Sequence, residues 1–222
     1  MDRLQATVHV VDDDESFRKA ILRLLRAAGY TARGYGSVAE FLSADPASAP
    51  GCVITDLRMP GPSGLDLQAA LVESDNPLPV IFLSAHGDIP TTVRAMRGGA
   101  VDFLTKPVEK ADLFDAIRGA LEWDAAAREH AAHMDALRGS FRQLTPRERE
   151  VVVHVIAGKL NKQIGFELGI AERTVKAHRA NIMRKLQVQS TADLVRFAES
   201  LNLQPAGARV ANALSSNGVK NP

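Results

Sequence analysis

The most informative part of the sequence reads Cys52-Val53-Ile54-Thr55-Asp56-Leu57-Arg58-Met59-Pro60. An apolar run rich in β-branched residues ends in one carboxylate, that of Asp56, and a loop rich in Pro, Gly and Ser follows from Met59 to Gly64. This pattern predicts a buried strand that carries Asp56 at its C-terminal end. Because ligands of open α/β sheets bind at the C-terminal ends of the strands, Asp56 is a candidate functional residue.

Patterns typical of strands and of helices alternate five times around this stretch. The predicted strands are Thr7 to Val11, Tyr30 to Tyr35, Cys52 to Thr55, Pro79 to Leu83 and Val101 to Leu104. Apolar residues at helical spacing follow them, and the S-x-x-E pattern of Ser37 to Glu40 is a capping box that opens the second helix. Five alternations within one domain's length predict an α/β fold with a doubly wound, five-stranded parallel sheet.

The composition of the 222 residues excludes several classes of protein. No apolar stretch is long enough to span a bilayer and the N-terminus lacks the apolar core of a signal peptide, so we expect a cytoplasmic protein without membrane contact. The single cysteine, Cys52, lies within a predicted strand, which excludes a disulfide framework and predicts a buried, inert thiol. His9 alternates with apolar residues and is expected to be a core or interface histidine.

The two halves of the chain carry opposite charge. Residues 1 to 125 hold 12 Lys and Arg against 18 Asp and Glu, a net charge of −6, whereas the rest hold 15 against 8, a net charge of +7. This asymmetry predicts two separate roles and assigns the binding of a polyanion to the second half.

Polar side chains occur where the predicted strands end. They are Asp12 and Asp13 after the first strand, Asp56 after the third, Ser84 after the fourth and Lys106 after the fifth. In a doubly wound sheet these five side chains converge on one pocket beside the switch in strand order. Crowded carboxylates attract a hard cation such as Mg²⁺, which accepts one or two carboxylates, a carbonyl and several waters. One oxygen of Asp56 then remains as a nucleophile toward a phosphoryl group.

Other acids in this region have a structural interpretation. A run of Asp and Glu between a strand and a helix is commonly an N-cap that interacts favourably with the helix dipole, and this is the preferred interpretation for Asp14 and Glu15. For Asp12 and Asp13, the joint pattern with the other strand ends favours a functional role.

Four motifs, in this order, resemble the receiver domain of two-component response regulators. They are Val10-Val11-Asp12-Asp13, Thr55-Asp56-Leu57-Arg58-Met59-Pro60, Leu83-Ser84-Ala85 and Leu104-Thr105-Lys106-Pro107. The resemblance covers about residues 5 to 122. It implies that Asp56 is the phosphoacceptor. It also implies that Mg²⁺ is held by Asp13, Asp56 and the Arg58 carbonyl, with Asp12 bound through water.

The same resemblance assigns the residues that sense the phosphoryl group. Ser84 and Lys106 are expected to contact its oxygens, and Phe103 occupies the position of the aromatic switch residue. The family also implies a cis peptide bond at Lys106-Pro107, which X-Pro linkages permit at modest cost.

From Leu144 onward the sequence changes to short helical segments. Thr145-Pro146-Arg147-Glu148 is a capping box with proline at the first helical position, and the helix that it opens ends near Gly158. Asn161 to Leu168 and Glu172 to Leu186 are the next predicted helices, joined by a turn at Gly169-Ile170. The arrangement predicts an all-α helix-turn-helix domain.

The third of these helices has two different faces. Val175, His178, Ile182 and Leu186 share one stripe, the predicted core side. The opposite face carries Arg173, Lys176, Ala177, Ala180, Asn181 and Arg184. Small residues among basic and amide side chains suit the major groove of DNA, although a basic helix face is often only solvated.

This region resembles the LuxR-type DNA-binding domain over about residues 140 to 200. The matching motifs are Leu144-Thr145-Pro146-Arg147-Glu148, Asn161-Lys162-Gln163-Ile164, Thr174-Val175-Lys176-Ala177-His178 and Lys185-Leu186. By this resemblance the bases are faced by Lys176, Ala177, Ala180 and Asn181. Phosphates are contacted by Asn161, Lys162 and Thr174. The last helix, Thr191 to Ser200, is expected to pair two such domains on a two-fold site.

Ala171 departs from the family pattern, in which a serine caps the recognition helix. We expect the missing side-chain oxygen to cost about 1 kcal/mol of helix stability, unless Glu172 compensates through the helix dipole. The departure concerns specificity, not the fold.

These patterns divide the chain into four parts. They are a receiver domain of residues 1–122, a helical linker of residues 123–140, a LuxR-type helix-turn-helix domain of residues 141–202 and a tail of residues 203–222 that is expected to be disordered. The linker is rich in good helix formers and lacks proline, which favours a continuation of the fifth helix. Trp123, Met134 and Leu137 form its thin apolar stripe, and their packing partner is left open.

The sequence therefore predicts a transcription regulator of the FixJ/NarL type rather than an enzyme. A sensor histidine kinase is expected to phosphorylate Asp56 with Mg²⁺, and phosphorylation to promote dimerisation and sequence-specific binding to double-stranded promoter DNA. RNA polymerase is a further candidate partner. The dimer face is expected on the fourth helix, fifth strand and fifth helix, with Val93, Met96, Arg97 and Asp112 as members.

Three alternatives use parts of the same pattern. A constitutive DNA-binding transcription factor would keep the receiver only as a docking module. A phosphatase with an aspartyl nucleophile lacks its usual Asp-x-Asp arrangement at Asp56-Leu57-Arg58. A small-molecule quorum sensor would share the second half but would not need acids and a lysine at strand ends.

Overall fold

A computed structural model describes residues 6–45, 49–73, 78–85 and 88–205. The described residues form two compact units, which divide between Glu129 and His130. The strands are β1 (Thr7–Val11), β2 (Thr31–Tyr35), β3 (Gly51–Thr55), β4 (Val80–Ser84) and β5 (Asp102–Thr105). The helices are α1 (Glu15–Ala27), α2 (Val38–Ser43), α3 (Gly64–Val72), α4 (Ile89–Arg97), α5 (Lys110–Arg142), α6 (Pro146–Ile156), α7 (Asn161–Leu168), α8 (Glu172–Leu186) and α9 (Thr191–Ser200).

The first unit is built on a parallel sheet with the strand order β2-β1-β3-β4-β5. The chain direction across the sheet reverses between β1 and β3, which creates the switch point at which ligands bind in such sheets. Val11 pairs with Thr55, so Asp12 and Asp56 follow neighbouring residues of adjacent strands. Ser84 pairs with Thr105, the residue before Lys106. The predicted doubly wound, five-stranded fold is confirmed.

Two apolar cores lie on opposite faces of this sheet. On one face, Val10 and Ile54 pack with residues of α1 and α5, and on the other Val53 and Phe82 pack with residues of α2, α3 and α4. Every residue of β3 is buried, as expected for a central strand covered on both faces. Cys52 is fully buried and its burial raises the pKa of the thiol, in agreement with the inert cysteine predicted from the sequence.

The expected core histidine lies in the second of these cores. His9 is 3% exposed, and its Nδ1 lies 3.1 Å from the hydroxyl oxygen of Tyr35. The Phe41 ring packs edge-on against the imidazole, with the ring centres 5.6 Å apart. Burial, assisted by the nearby charge of Arg33, lowers the pKa of His9 from 6.5 to about 4.

The longest helix, α5, is a single helix that includes every residue of the predicted linker. Near its middle, Asp124 is 2% exposed and accepts hydrogen bonds from Gly51 N at 3.0 Å and from Arg128 Nε at 2.9 Å. Arg128 also donates to the carbonyl oxygen of Ala49 at 2.8 Å. Trp123 lines a small apolar cleft of the first unit. No helix in the described part of the chain has the length and apolarity needed to cross a membrane.

The second unit has its own apolar core among α6, α7, α8 and α9. The predicted core stripe of α8 is buried at Val175, Ile182 and Leu186, and His178 is half-buried. Leu203 packs against the same core. The remainder of the predicted disordered tail, from residue 206, lies outside the described residues.

The capping box that opens α6 is present, and its glutamate, Glu148, also contacts a second helix, α8. Glu148 is 3% exposed, and its Oε2 accepts hydrogen bonds from Thr145 N at 2.8 Å and from Lys185 Nζ at 2.7 Å. At the start of α8, Ala171 makes no side-chain capping hydrogen bond, as its methyl group requires. Within α7, a Cβ on Gly165 would lie 2.7 Å from the carbonyl oxygen of Ile170, so the close approach of this helix to the following turn needs a glycine in this backbone arrangement.

Candidate functional site

Three charged side chains meet at the C-terminal edge of the sheet. Lys106 Nζ lies 2.7 Å from Asp12 Oδ2 and 2.7 Å from Asp56 Oδ2. All three side chains are largely withdrawn from solvent, with exposures of 15%, 4% and 14%, respectively. Since parallel strands end at the same edge, residues separated by 44 and 50 positions in the sequence become neighbours.

The second oxygen of Asp56 also has its partners. Asp56 Oδ1 accepts hydrogen bonds from Ser84 Oγ at 2.8 Å and from Arg58 N at 3.2 Å. Burial alone would raise the pKa of Asp56. The hydrogen bonds from Lys106, Ser84 and the Arg58 backbone outweigh this effect and lower the pKa below its usual value. Asp56 is therefore held as a carboxylate, the form that can act as a nucleophile.

Asp12 has a different environment from Asp56. It is 3% exposed, and burial raises its pKa although Lys106 and the N–H of Asp14 donate hydrogen bonds to it. Burial would lower the pKa of Lys106, but its two carboxylate partners outweigh this effect and raise the pKa. The ammonium is thus the cation that balances the two acids.

The surrounding backbone and one aromatic ring complete the pocket. A Cβ on Gly64, the first residue of α3, would lie 2.3 Å from the carbonyl oxygen of Asp56, so only glycine permits this approach of helix and strand end. Lys106 Nζ lies 4.0 Å from the centre of the Phe17 ring. The sequence did not indicate this contact, because a lysine-aromatic contact between distant residues leaves no local signal.

The remaining predicted receiver residues are Asp13, Arg58 and Phe103. Asp13 is exposed and makes no hydrogen bond or ion pair with another described residue. The Arg58 side chain is exposed, and only its backbone N–H contacts Asp56. Phe103 stacks on Phe82 with the ring centres 5.9 Å apart. Asp14 caps α1 by accepting hydrogen bonds from two backbone N–H groups, as the structural interpretation of the acid run predicted.

The donor set at this edge fits a hard cation with an open coordination sphere. No group of three or more His, Cys, Asp or Glu side chains is arranged to enclose a metal in the part of the chain that the structure describes. Mg²⁺ does not require such a cage, because it keeps several waters and takes only one or two carboxylates. The carboxylates of Asp12 and Asp56, with the exposed Asp13 beside them, provide oxygen donors of the appropriate type.

The predicted DNA-facing side of α8 is exposed in the second unit. It comprises Arg173, Lys176, Ala177, Ala180, Asn181 and Arg184. Lys176 pairs with Glu172 at 3.1 Å, but both side chains are about half exposed and such surface pairs contribute little. The proposed phosphate contacts Asn161 and Thr174 are half-buried, and Lys162 is exposed.

The predicted dimer face of the first unit is also exposed. Val93 is 41% exposed and Met96 is 43% exposed, and Arg97 and Asp112 are exposed as well. The structure adds Ile89, which is 81% exposed and precedes Val93 by one helical turn. The sequence analysis had missed Ile89, although its spacing to Val93 and Met96 was visible.

Comparisons with known proteins account for both halves of the chain. The family described as "Response regulator receiver domain" matches residues 8–118, and the family described as "Bacterial regulatory proteins, luxR family" matches residues 142–198. The chain belongs to the LuxR-type response regulators. Members of this family regulate transcription and are not classical enzymes.

Relatives of this response regulator align over nearly its whole length. Nodulation protein W of Bradyrhizobium diazoefficiens is 43% identical over 199 residues, which cover 90% of this chain and 88% of that protein. The response regulator protein TodT of Pseudomonas putida is 44% identical over 88% of this chain and 86% of its own. The solved structure of the response regulator StyR is 47% identical, covers 88% of this chain and 98% of its own, and has a TM-score of 0.79. The predicted family and its role in transcription are therefore confirmed.

Proposed function

We propose that this response regulator is switched by phosphorylation of Asp56 by a sensor histidine kinase, and that the phosphorylated form dimerises and binds promoter DNA. The observation that carries the proposal is the position of the Asp56 carboxyl group, held between Lys106 Nζ at 2.7 Å and Ser84 Oγ at 2.8 Å. A carboxylate with an ammonium and a hydroxyl at this distance is arranged to receive a phosphoryl group and to stabilise its charge.

In the transfer step, a carboxylate oxygen of Asp56 forms a bond to the phosphorus of a phosphohistidine on the kinase. The P–N bond breaks, and its electron pair stays on the imidazole nitrogen. Lys106 and Ser84 then replace their hydrogen bonds to Asp56 by hydrogen bonds to phosphoryl oxygens. Mg²⁺, held by Asp13, Asp56 and the Arg58 carbonyl with Asp12 through water, would neutralise charge on the transferred group.

Phosphorylation is proposed to change the face formed by α4, β5 and α5. Ser84 moves toward the phosphoryl group, and Phe103 follows it from its position against Phe82. The apolar residues Val93 and Met96 on α4 then favour a dimer, together with Arg97 and Asp112. Ile89, exposed on the same helix, belongs to this face.

Dimerisation is proposed to strengthen DNA binding by raising the effective concentration of the second DNA-binding domain. The exposed face of α8 enters the major groove, where Lys176, Ala177, Ala180 and Asn181 face the bases, flanked by Arg173 and Arg184. Asn161, Lys162 and Thr174 contact phosphates. Because its target is promoter DNA, we propose that the protein acts in the cytoplasm, with RNA polymerase as a further candidate partner.

The test is to treat the full chain with acetyl phosphate and Mg²⁺ and to follow intact mass. The wild type should gain one phosphoryl group, Asp56→Asn should gain none, and the exposed acid variant Asp115→Asn should behave as the wild type. A phosphoryl adduct on Asp56→Asn at the wild-type rate would refute the assignment. Sedimentation that shows no association of the phosphorylated chain would contradict the dimer step. Operator affinity that does not respond to phosphorylation would favour the constitutive alternative.

A further inference from the structure

One arginine in the middle of α8 joins three helices of the DNA-binding unit. Arg179 Nη1 donates to Asn161 Oδ1 at 3.0 Å, and Arg179 Nη2 donates to Thr191 Oγ1 at 2.9 Å. Asn161 is the first residue of α7 and Thr191 is the first residue of α9. A single guanidinium therefore fixes the starts of both helices against the recognition helix.

This contact determines the orientation of the Asn161 amide. A guanidinium has only N–H donors, so it requires the carbonyl oxygen of Asn161 rather than the NH₂ group. The NH₂ group makes no hydrogen bond with another residue in the described part of the chain, and Asn161 is half-buried. The amide consequently presents two free donors on the edge opposite the oxygen that Arg179 holds.

We infer that Arg179 is a positioning residue for DNA binding, which turns the NH₂ group of Asn161 toward a phosphate oxygen of the DNA backbone. The inference rests on the proposed phosphate contact of Asn161. Contacts to phosphates fix the register of a protein on the duplex without reading its sequence. Loss of this contact should therefore weaken binding to duplexes of any sequence.

The test is a double-mutant cycle on the full chain with a short, fluorescein-labelled duplex of mixed sequence. Asn161→Ala and Arg179→Gln should each weaken affinity by about tenfold, the loss expected for one hydrogen bond to a charged group. The double variant should bind no more weakly than either single variant. Additive losses would mean that Arg179 does not act through Asn161 and would overturn the inference. Arg149→Gln removes a charge elsewhere on the unit and should leave affinity unchanged.

The salt dependence separates positioning from direct contact. Asn161 is uncharged, so the slope of log affinity against log salt should remain that of the wild type in both variants. A direct ion pair of Arg179 with a phosphate would instead reduce the slope by about 0.9 in Arg179→Gln, and this result would overturn the inference.

Arg179→Lys tests the geometry at constant charge. Lysine lacks the planar fork that reaches two partners, so we expect weakened binding and a shift of the Asn161 side-chain amide signal in a ¹H–¹⁵N spectrum whose other signals are retained. Wild-type affinity in Arg179→Lys would contradict the role of the fork. If Asn161→Ala itself binds as the wild type, the proposed phosphate contact is wrong. If Asn161→Ala weakens binding but Arg179→Gln does not, the phosphate contact of Asn161 is supported and the positioning role of Arg179 is wrong.

Discussion

Lys106 Nζ lies 2.7 Å from Asp56 Oδ2 in a pocket where both side chains are mostly shielded from solvent. The Lys106 ammonium therefore neutralises negative charge that a divalent cation would otherwise neutralise, because it pairs with the acid that is proposed to accept the phosphoryl group. We therefore expect Lys106 and a bound Mg²⁺ to compete for the carboxylates of Asp12 and Asp56.

Replacing this lysine should make the first unit more dependent on Mg²⁺. In Lys106→Gln the carboxylates of Asp12 and Asp56 lose their shared cation, so we expect a loss of about 3 kcal/mol of stability without metal. Mg²⁺ should restore more of the melting temperature in this variant than in the wild type. Thermal unfolding with and without Mg²⁺ measures the difference. Lys110→Gln, in the exposed first turn of α5, is the matched control, and an equal Mg²⁺ response in all three proteins would contradict the competition.

Replacement of two glycines by alanine should change the stability of the first unit in opposite directions. A Cβ on Gly64 would lie 2.3 Å from the Asp56 carbonyl oxygen and 3.0 Å from the Phe82 ring, so Gly64→Ala must displace the start of α3 or the end of β3. We expect lower stability and slower phosphorylation by acetyl phosphate. A Cβ on Gly119, inside α5, meets no atom within 4 Å, and Gly119→Ala should add about 0.5–1 kcal/mol through helix propensity. Urea unfolding measures both effects. If Gly64→Ala is more stable than the wild type and is phosphorylated at the normal rate, the start of α3 does not lie as close to the Asp56 carbonyl as described.

Neutral His9 should make the first unit sensitive to mild acid. The pKa of His9 in the folded chain is about 4, below its usual 6.5, so its stabilising contribution is complete above pH 6.5 and is lost as the pH falls toward 4. Between pH 7 and pH 5 the wild type should lose about 2 kcal/mol more stability than His9→Phe. Urea unfolding followed by the fluorescence of Trp123, the only tryptophan, measures this difference. Parallel pH profiles of the two proteins, or an imidazole proton signal that titrates near pH 6.5, would contradict it.

The strand ends of the sheet were predictable because they follow local rules. Apolar runs that end in Asp56, Ser84 or Lys106 mark the C-terminal ends of parallel strands, and parallel strands bring such ends together. The cap at Ser37 and the capping box at Thr145 were visible for the same reason, since each lies within four residues.

Contacts between residues that are distant in the sequence were not predictable in this way. Asp124 looks like one of many acids on a polar helix, and only the fold shows that it meets Gly51 at the start of β3. Arg179 likewise reads as part of a basic helix, although its partners lie 18 and 12 residues away. The exposed position of Asp13 depends on the backbone conformation after β1, which composition and spacing do not encode.

The partly buried ion pair between Glu148 and Lys185 should hold α6 against α8. Glu148 is 3% exposed, and the hydrogen bonds from Lys185 and Thr145 lower its pKa against the raising effect of burial. Glu148→Gln keeps a cap acceptor but leaves the ammonium without its carboxylate, so we expect a loss of about 1–3 kcal/mol. Amide hydrogen exchange in α6 and α8 of the full chain should accelerate by about 10- to 100-fold.

The neighbouring acid Glu150 provides the matched comparison for that variant. Its pair with Arg147 is made by side chains that are 51% and 36% exposed, and such pairs contribute less than about 1 kcal/mol. Glu150→Gln should therefore leave exchange in α6 and α8 nearly unchanged. Because the pKa of Glu148 is lowered in the folded chain, its contribution is complete above the pKa of the unfolded chain and is lost as the pH falls through the folded value. The difference between the two variants should thus shrink in acid. Equal exchange in both variants at neutral pH would show that burial of the Glu148 carboxylate offsets its ion pair.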